Sequence, residues 1–461
     1  MRIKEELKDS GYFWLPSVPD ERIFGTLSIS DRGVIKLELF GVFGTFGRNT
    51  GPIERIVGHS EKMGFVTLDD CYCRSMSSNV DISRTFYYIS KSSIDVMRVF
   101  KGVAYREGEV PRFKSLTFSI EGIDEWVGIS GIEVDHQLER HAATISYELP
   151  ASIPFKLDND MELLIGFSWQ PPPFSLVPKE AKLAQKIHFH LVSQDARELD
   201  EFISVANKLT TFLCFALNEI ACLDSMSTVF ETPHQDVREG LTRMTSVDIY
   251  CHSWSYSENS PEIYRHNILF GFEEIQSKAE SMINNWIRGY EQFASTFHLY
   301  FWAQRNAYPY LEVRFLSLIQ GLEAYHRGTS DEKEMDEAEF KQLVETLIKQ
   351  CPQGREQWLK DRLRYGNQVS LRKRVTRLIE PFKDLFGNKK DRKKLINRIV
   401  ETRNSLTHPS PSSKDIEGIW FLYEKMEGLF QLLFLQMIGF GQEEIRSIVS
   451  NCQELRQTLS F

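Results

Sequence analysis

No run of about 18 apolar residues occurs in the chain, so a membrane-spanning helix is not expected. The opening Met-Arg-Ile-Lys-Glu-Glu-Leu-Lys-Asp-Ser is charged and has no apolar signal core, which argues against secretion. Cysteine is scarce: the seven are odd in number and scattered, and only Cys71 and Cys73 are close together. That usage suits a reducing compartment better than a disulfide framework. A soluble cytoplasmic protein without a membrane partner is therefore expected. Phosphate-binding loops of the Walker type, nucleophile elbows and HExxH are all missing. Cys71-x-Cys73 lacks a second pair at zinc-site spacing, and His188-Phe-His190 would place two imidazoles on one strand face without an obvious third ligand. Neither a metal nor a nucleotide cofactor is expected. Internal repeats and low-complexity tracts are lacking too.

What is present divides near residue 270. With 461 residues and 42% hydrophobic content the chain can bury two sizeable cores. Before residue 270, the segments 34–39, 64–68, 85–89, 115–120, 144–149, 161–169 and 186–192 alternate or cluster β-branched and aromatic residues between turn residues. They predict a β-rich domain over 1–270, antiparallel and sandwich-like, with two packed sheets. Within it, Leu199, Phe202, Ile203, Ala206 and Leu209 repeat at helical spacing, which predicts a helix over 195–217 covering a sheet face or edge. From 271 to 461 nearly everything reads as helix, beginning with one continuous apolar side over 272–304. Further helices are expected at about 309–328, 335–350, 355–364, 369–386, 389–407, 414–438 and 442–458, punctuated by Gly and Pro. Such segments bury their stripes as a bundle. The fold class is thus α+β multidomain.

One stretch carries chemistry. In the helix expected from Lys389, Ile396, Ile399 and Val400 form an apolar stripe that arrives, seven residues beyond Ile396, at Arg403. Pro409 disfavours the α conformation for the residue before it, so the helix should end near Thr407 and free His408 to fold back beside the arginine. Histidine exchanges protons near physiological pH, and arginine offers permanently charged donors to phosphate oxygens. Together they suit RNA cleavage without a metal: the ribose 2′-OH attacks the adjacent phosphorus and leaves a 2′,3′-cyclic phosphate. Asn404 could orient the phosphate or the histidine. A plainer reading is also open, in which His408 terminates a helix favourably for the dipole and Arg403 pairs with Glu401. Upstream, Leu311, Phe315, Leu318, Leu322 and Tyr325 share one helical face, with Glu323 and Arg327 one turn apart at its edge.

Glu323-x3-Arg327 followed much later by Arg403-Asn404-x3-His408 resembles the HEPN ribonuclease-like domains, whose pattern is Glu-x3-Lys/Arg and then Arg-x4–6-His with a polar residue after the Arg. The N-terminal half, with Gly11-Tyr-Phe13-Trp14-Leu-Pro16, Phe24-Gly25-Thr-Leu27-Ser and Ile35-Lys-Leu37-Glu-Leu39-Phe-Gly41, looks like the domain that precedes the HEPN domain in ApeA-type anti-phage proteins. The resemblance implies a C-terminal HEPN bundle that cuts host or phage RNA in abortive infection, and an N-terminal domain that senses infection or restrains the nuclease. A phage-derived trigger would fit that role. It implies Arg403, His408 and Asn404 as catalytic, and Glu323 and Arg327 as supporting residues on a neighbouring helix. It also implies a homodimer through the HEPN domain, with the apolar sides of 272–304 and 420–434 available either for that interface or for an intrachain core.

The net charge of −9 is unevenly spread. Between Arg355 and Arg398 there are 15 Lys or Arg against 5 Asp or Glu. Arg372, Lys373, Arg374, Lys389, Lys390, Arg392, Lys393 and Lys394 form a basic approach to the candidate site, suited to RNA, tRNA among the choices. The competing class is a non-catalytic module whose HEPN-like bundle dimerises or binds RNA while the β domain docks a partner.

Overall fold

The computed structural model describes residues 1–43, 50–81, 87–172, 181–232, 243–304, 310–407 and 416–460. They form two compact units, Met1–Asn284 and Asn285–Phe461.

Six strands open the first unit: β1 (Leu7–Trp14), β2 (Ile23–Ser30), β3 (Val34–Leu39), β4 (Gly51–Ser60), β5 (Gly64–Asp81) and β6 (Tyr87–Lys101). Their alternation is plain in β3, where Ile35, Leu37 and Leu39 are buried while Lys36 and Glu38 face solvent. All pairs are antiparallel in the order β6-β3-β2-β1-β4-β5, and a further β5–β6 pairing closes the ring into a barrel. Phe13, Leu27, Ile29, Leu37, Ile56, Val66, Leu68, Ile94 and Val99 fill it. Each such side chain contributes about 1.5–3 kcal/mol on burial.

The remaining strands extend the same sheet. They are β7 (Arg112–Ile120), β8 (Ile132–Gln137), β9 (Ala142–Tyr147), β10 (Ile153–Lys156), β11 (Met161–Gln170), β12 (Ala184–Glu198), β13 (Leu223–Thr232) and β14 (Arg243–Cys251). All but β8 and β9, which pair with each other, continue the sheet from β6 as β14-β13-β7-β12-β11-β10. The expected β-rich antiparallel domain is present. Its strands run as one sheet that curls shut at one end, where the pattern had suggested two stacked sheets. Alternation reports which residues face inward but not which strands pair, and only pairing distinguishes the two layouts. Strands β5 and β6 also run well beyond 64–68 and 85–89, because their added residues include many serines, which carry little strand signal. Residues 85 and 86 lie outside the described residues.

After α1 (Ile123–Val127), the covering helix is α2 (Leu199–Leu217), which buries Phe202, Val205, Ala206, Leu209, Phe212 and Leu213 and packs on β7 and β12. It starts later than expected because residues 195–198 finish β12, and Glu198 and Glu201 then form a capping box. Arg2 fastens the barrel to the rest of the unit. Its buried guanidinium donates to Asp31 at 2.7 Å, to Glu121 at 2.9 Å and to the Ser257 carbonyl at 2.9 Å.

The helical pattern begins at Phe272, and its expected single run is broken into α3 (Phe272–Ile275), a 3-10 turn (Gln276–Lys278), α4 (Ala279–Gln292) and α5 (Ala294–Gln304). The second unit begins within α4 and, after α5, comprises α6 (Leu311–Thr329), α7 (Glu337–Lys349), α8 (Glu356–Leu363), α9 (Leu371–Ile379), α10 (Lys389–Thr407), α11 (Ile416–Ile438), α12 (Gln442–Asn451) and α13 (Gln453–Leu459). Helix α6 is central, packing against α5, α9, α10 and α11. Trp286, Phe297, Tyr300, Phe430 and Phe434 form an aromatic core, with Phe297 stacked on Phe434 at 4.6 Å. Much of the apolar surface of 272–304 and 420–434 is therefore spent inside the chain. Among the described residues no helix is long and apolar enough to cross a membrane.

Two glycines of the barrel are fixed by contact. A Cβ at Gly11 would lie 2.3 Å from the His59 carbonyl oxygen, and one at Gly58 would lie 2.4 Å from the Phe13 ring. Gly11→Ala should therefore destabilise the first unit by about 1–3 kcal/mol or more, whereas Gly51→Ala, with nothing within 4 Å, should be tolerated. Urea denaturation followed by circular dichroism checks the difference; equal midpoints for the two variants would contradict it.

Candidate functional site

Helix α10 presents the motif. Gly387, at φ 65°, ends the preceding turn, and the Asn388 side chain accepts from the Lys390 and Asp391 N–H groups, so the helix starts at Lys389. Leu395, Ile396 and Ile399 are buried, Val400 is half-buried, and the stripe ends at a half-buried Arg403. Arg403 Nη1 donates to Asn404 Oδ1 at 3.2 Å, while the Thr407 hydroxyl folds back onto the Arg403 carbonyl at 2.9 Å. The described part of the helix runs to Thr407, and the stop expected before Pro409 falls outside the described residues. His408 lies outside the described residues.

Glu323 and Arg327 sit in the last turns of α6, the first half-buried and the second exposed. Helix α6 does pack against α10. Among the described residues, however, no hydrogen bond or ion pair links Glu323 to Arg327, or either of them to Arg403. The buried Arg374 of α9 is within electrostatic reach of this pair, its charge opposed by Arg327 and favoured by Glu323. Arg374 is thus not part of the basic surface it was expected to join. Its Nε donates to the Val369 carbonyl at 3.0 Å, and Nη1 meets His326 Nδ1 at 3.1 Å. Burial, followed by the Arg374 charge, holds the His326 imidazole below its usual range. A neutral ring with its proton on Nε2 satisfies that geometry. The sequence signal was a histidine four residues after Leu322, on the stripe itself.

The other basic residues divide by use. Lys373 pairs with Glu334, Arg372 donates to Asn397 of α10, and Arg392 caps the Lys383 carbonyl at 2.9 Å. Lys389, Lys390, Lys393 and Lys394 are exposed.

Sequence reasoning missed a polar cluster under the first turns of α11. Arg314 of α6 lies 4.5 Å from the Tyr423 ring centre and 5.9 Å from that of Trp420. Its guanidinium donates to the Ala303 carbonyl at 2.6 Å and to the Tyr423 hydroxyl at 2.9 Å. The Tyr423 hydroxyl and Gln304 Nε2 reach Glu427 Oε1 at 3.3 and 3.4 Å. Desolvation pushes the Glu427 carboxyl up to about 7, against the hydrogen bonds and the Arg314 charge. The clue was an acidic residue, Glu427, immediately before the largely apolar run 428–435. Among the described residues no group of three or more His, Cys, Asp or Glu could hold a metal ion. Six of the seven thiols are buried, and Cys351 is partly exposed.

Residues 10–286 match the family model for ApeA N-terminal domain 1, and residues 316–444 match that for the Apea-like HEPN domain. The architecture is therefore that of a β-rich domain joined to a HEPN bundle. As the first match spans more than half of the chain, the protein belongs to the ApeA N-terminal domain 1 family and carries an Apea-like HEPN domain. No curated protein and no solved structure matches it.

Two pH responses of opposite sign are expected. Glu427 has a raised folded pKa, so its contribution is fully present below the ordinary carboxylate range and is lost as pH rises toward 7. Glu427→Gln should flatten that decline, giving a higher urea midpoint relative to wild type at pH 8 than at pH 5. His326 has a lowered folded pKa, so stability is retained above about 6.5 and falls below it as the unfolded chain takes up the proton first. His326→Gln, which keeps an acceptor for Arg374, should weaken this acid loss, whereas His326→Phe should be destabilised by about 1–3 kcal/mol at every pH.

Proposed function

We propose that this protein is a metal-independent endoribonuclease of anti-phage abortive infection, with Arg403 and His408 as its reacting pair. The observation that carries the reading is Arg403 itself. Its helix is buried along one side, and Arg403 is half-buried at the end of that stripe, five residues before His408 in the sequence, with its guanidinium steadied by Asn404. HEPN membership supplies the chemical class.

In this mechanism His408 takes the proton from a ribose 2′-OH, and that oxygen attacks the adjacent phosphorus. The 5′-oxygen leaves with a proton, giving a 2′,3′-cyclic phosphate and a 5′-hydroxyl. Arg403 bears on the non-bridging oxygens, where charge builds as the phosphorus becomes five-coordinate. Asn404 holds the guanidinium for that contact. Glu323 and Arg327 act with Arg374 as a charged support on α6 and α9. Lys389, Lys390, Lys393 and Lys394 attract the RNA backbone and make binding fall with salt. DNA lacks the attacking hydroxyl. A homodimer would set two such motifs across one cleft, and the exposed Val313, Ile416 and Trp420 at the starts of α6 and α11 offer it an apolar face. The N-terminal domain then senses infection or restrains the nuclease.

The test is cleavage of labelled tRNA and single-stranded RNA in EDTA by the full chain. His408→Ala should lose about 10²–10⁴ in rate and Arg403→Ala about 10²–10³, with melting unchanged. Cleavage insensitive to His408, or cleavage that EDTA abolishes, would overturn the mechanism. A folded dimer that binds RNA and never cuts it, even with phage lysate added, would favour the non-catalytic module.

A further inference from the structure

The outer wall of the barrel exposes an aromatic row that its core does not need. Tyr12 on β1 stands opposite Phe24 on β2 and opposite His59 on β4, and His59 stands opposite Phe65 on β5. Phe40, just past β3, donates its N–H to the Phe24 carbonyl at 2.9 Å and so continues the row. The ring centres of Tyr12 and Phe24 are 5.7 Å apart, those of Phe24 and Phe40 6.1 Å, and those of His59 and Phe65 4.8 Å. Five rings on five adjacent strands thus span roughly 19 Å. Tyr12 is 54% exposed, Phe24 45%, Phe40 55% and Phe65 49%, and His59 is exposed as well.

The rows beside the rings are polar, in a definite order. Two residues along, about 7 Å away, the outward positions are Ser10, Thr26 and Glu38, in register across β1, β2 and β3, with the Ser10 and Thr26 hydroxyls 3.0 Å apart. Two residues further the row is Lys8, Ser28 and Lys36, with both lysines exposed and Lys8 also touching Glu6 at 3.0 Å. Lys91 lies over the Phe40 ring at 5.1 Å.

Rings, then hydroxyls and a carboxylate, then cations repeat the order base, ribose, phosphate. We infer that this wall binds single-stranded RNA, with bases stacked on Tyr12, Phe24 and Phe40, ribose 2′-hydroxyls on the Ser10–Thr26–Glu38 row, and phosphates near Lys8 and Lys36. Aromatic faces hold any base by stacking, while hydroxyl and carboxylate partners favour the 2′-OH of RNA. Choosing RNA as the polymer rests on the proposed nuclease reading. A protein-docking face made of the same rings would have no use for the graded order of rows.

The test uses the full-length His408→Ala chain, so that the probe survives, and the fluorescence anisotropy of labelled oligouridine of about 12 nucleotides, with an oligothymidine DNA of equal length. Tyr12→Ala with Phe24→Ala should weaken oligouridine binding about tenfold or more. Lys8→Ala with Lys36→Ala should reduce its salt dependence, and the DNA should bind several-fold more weakly. Should the double ring variant melt early, Tyr12→Ala against Tyr12→Trp carries the test, because Trp retains a stacking face. Three results would overturn the inference: no oligouridine binding by the parent chain, unchanged binding when the rings are removed, or a ring-dependent change in oligomeric state without any change in RNA affinity. Ring-dependent binding, together with no cleavage of RNA by the chain that retains His408, overturns the nuclease reading alone; His408-dependent cleavage with ring-independent binding overturns this inference alone.

Discussion

Strand β6 is the member on which the first unit depends. One of its edges pairs with β5, and the other pairs first with β3 through residues 92–96 and then with β14 through residues 98–101. A strand can serve two partners on one edge only if it outlasts the first, and β6 has the length to do so. The consequence is a sheet that is closed along one stretch and open along the next. Closure removes edges that would otherwise invite pairing with other chains, and the open portion then takes α2 as its cover.

The second unit obeys a different constraint. Helix α6 lies between several neighbours, so polar groups on its flanks must be satisfied from within the bundle. Two solutions appear. At one level Arg374 lends its charge to His326 and Val369; at another Arg314, Tyr423, Gln304 and Glu427 share their hydrogen bonds. Arg403 belongs to neither network. Among the described residues the side chain that its guanidinium bonds is that of its own neighbour Asn404, at 3.2 Å.

The amino-acid order announces helices more fully than it announces partnerships. Helix α10 was legible at its start and along its buried side, since Gly387 punctuates the chain before it and the Ile396–Ile399 stripe turns inward, while the stop expected from Pro409 lies outside the described residues. The half-buried Arg403 followed from the same stripe. Arg374 was not legible: it sits in the run Arg372-Lys-Arg374, and nothing local separates the one that turns inward from those that stay in water. That separation comes from His326, distant in sequence. The barrel was hidden for a similar reason, because its closure is a β5–β6 pairing whose polar residues carry weak strand character. The aromatic row was in plain view as Tyr12, Phe24, Phe40 and Phe65, but a spacing of two per strand says nothing of alignment across strands.

Phe13 and Gly58 have a consequence for how this barrel can change over generations. The ring occupies the space that any side chain at position 58 would need, so the two positions share a single allotment of volume. A larger residue at 58 is tolerable only after the ring has shrunk, and a shrunken ring leaves a void until 58 has grown. Drift through either intermediate passes through a weakened fold, so the pair is held together by history as firmly as by contact.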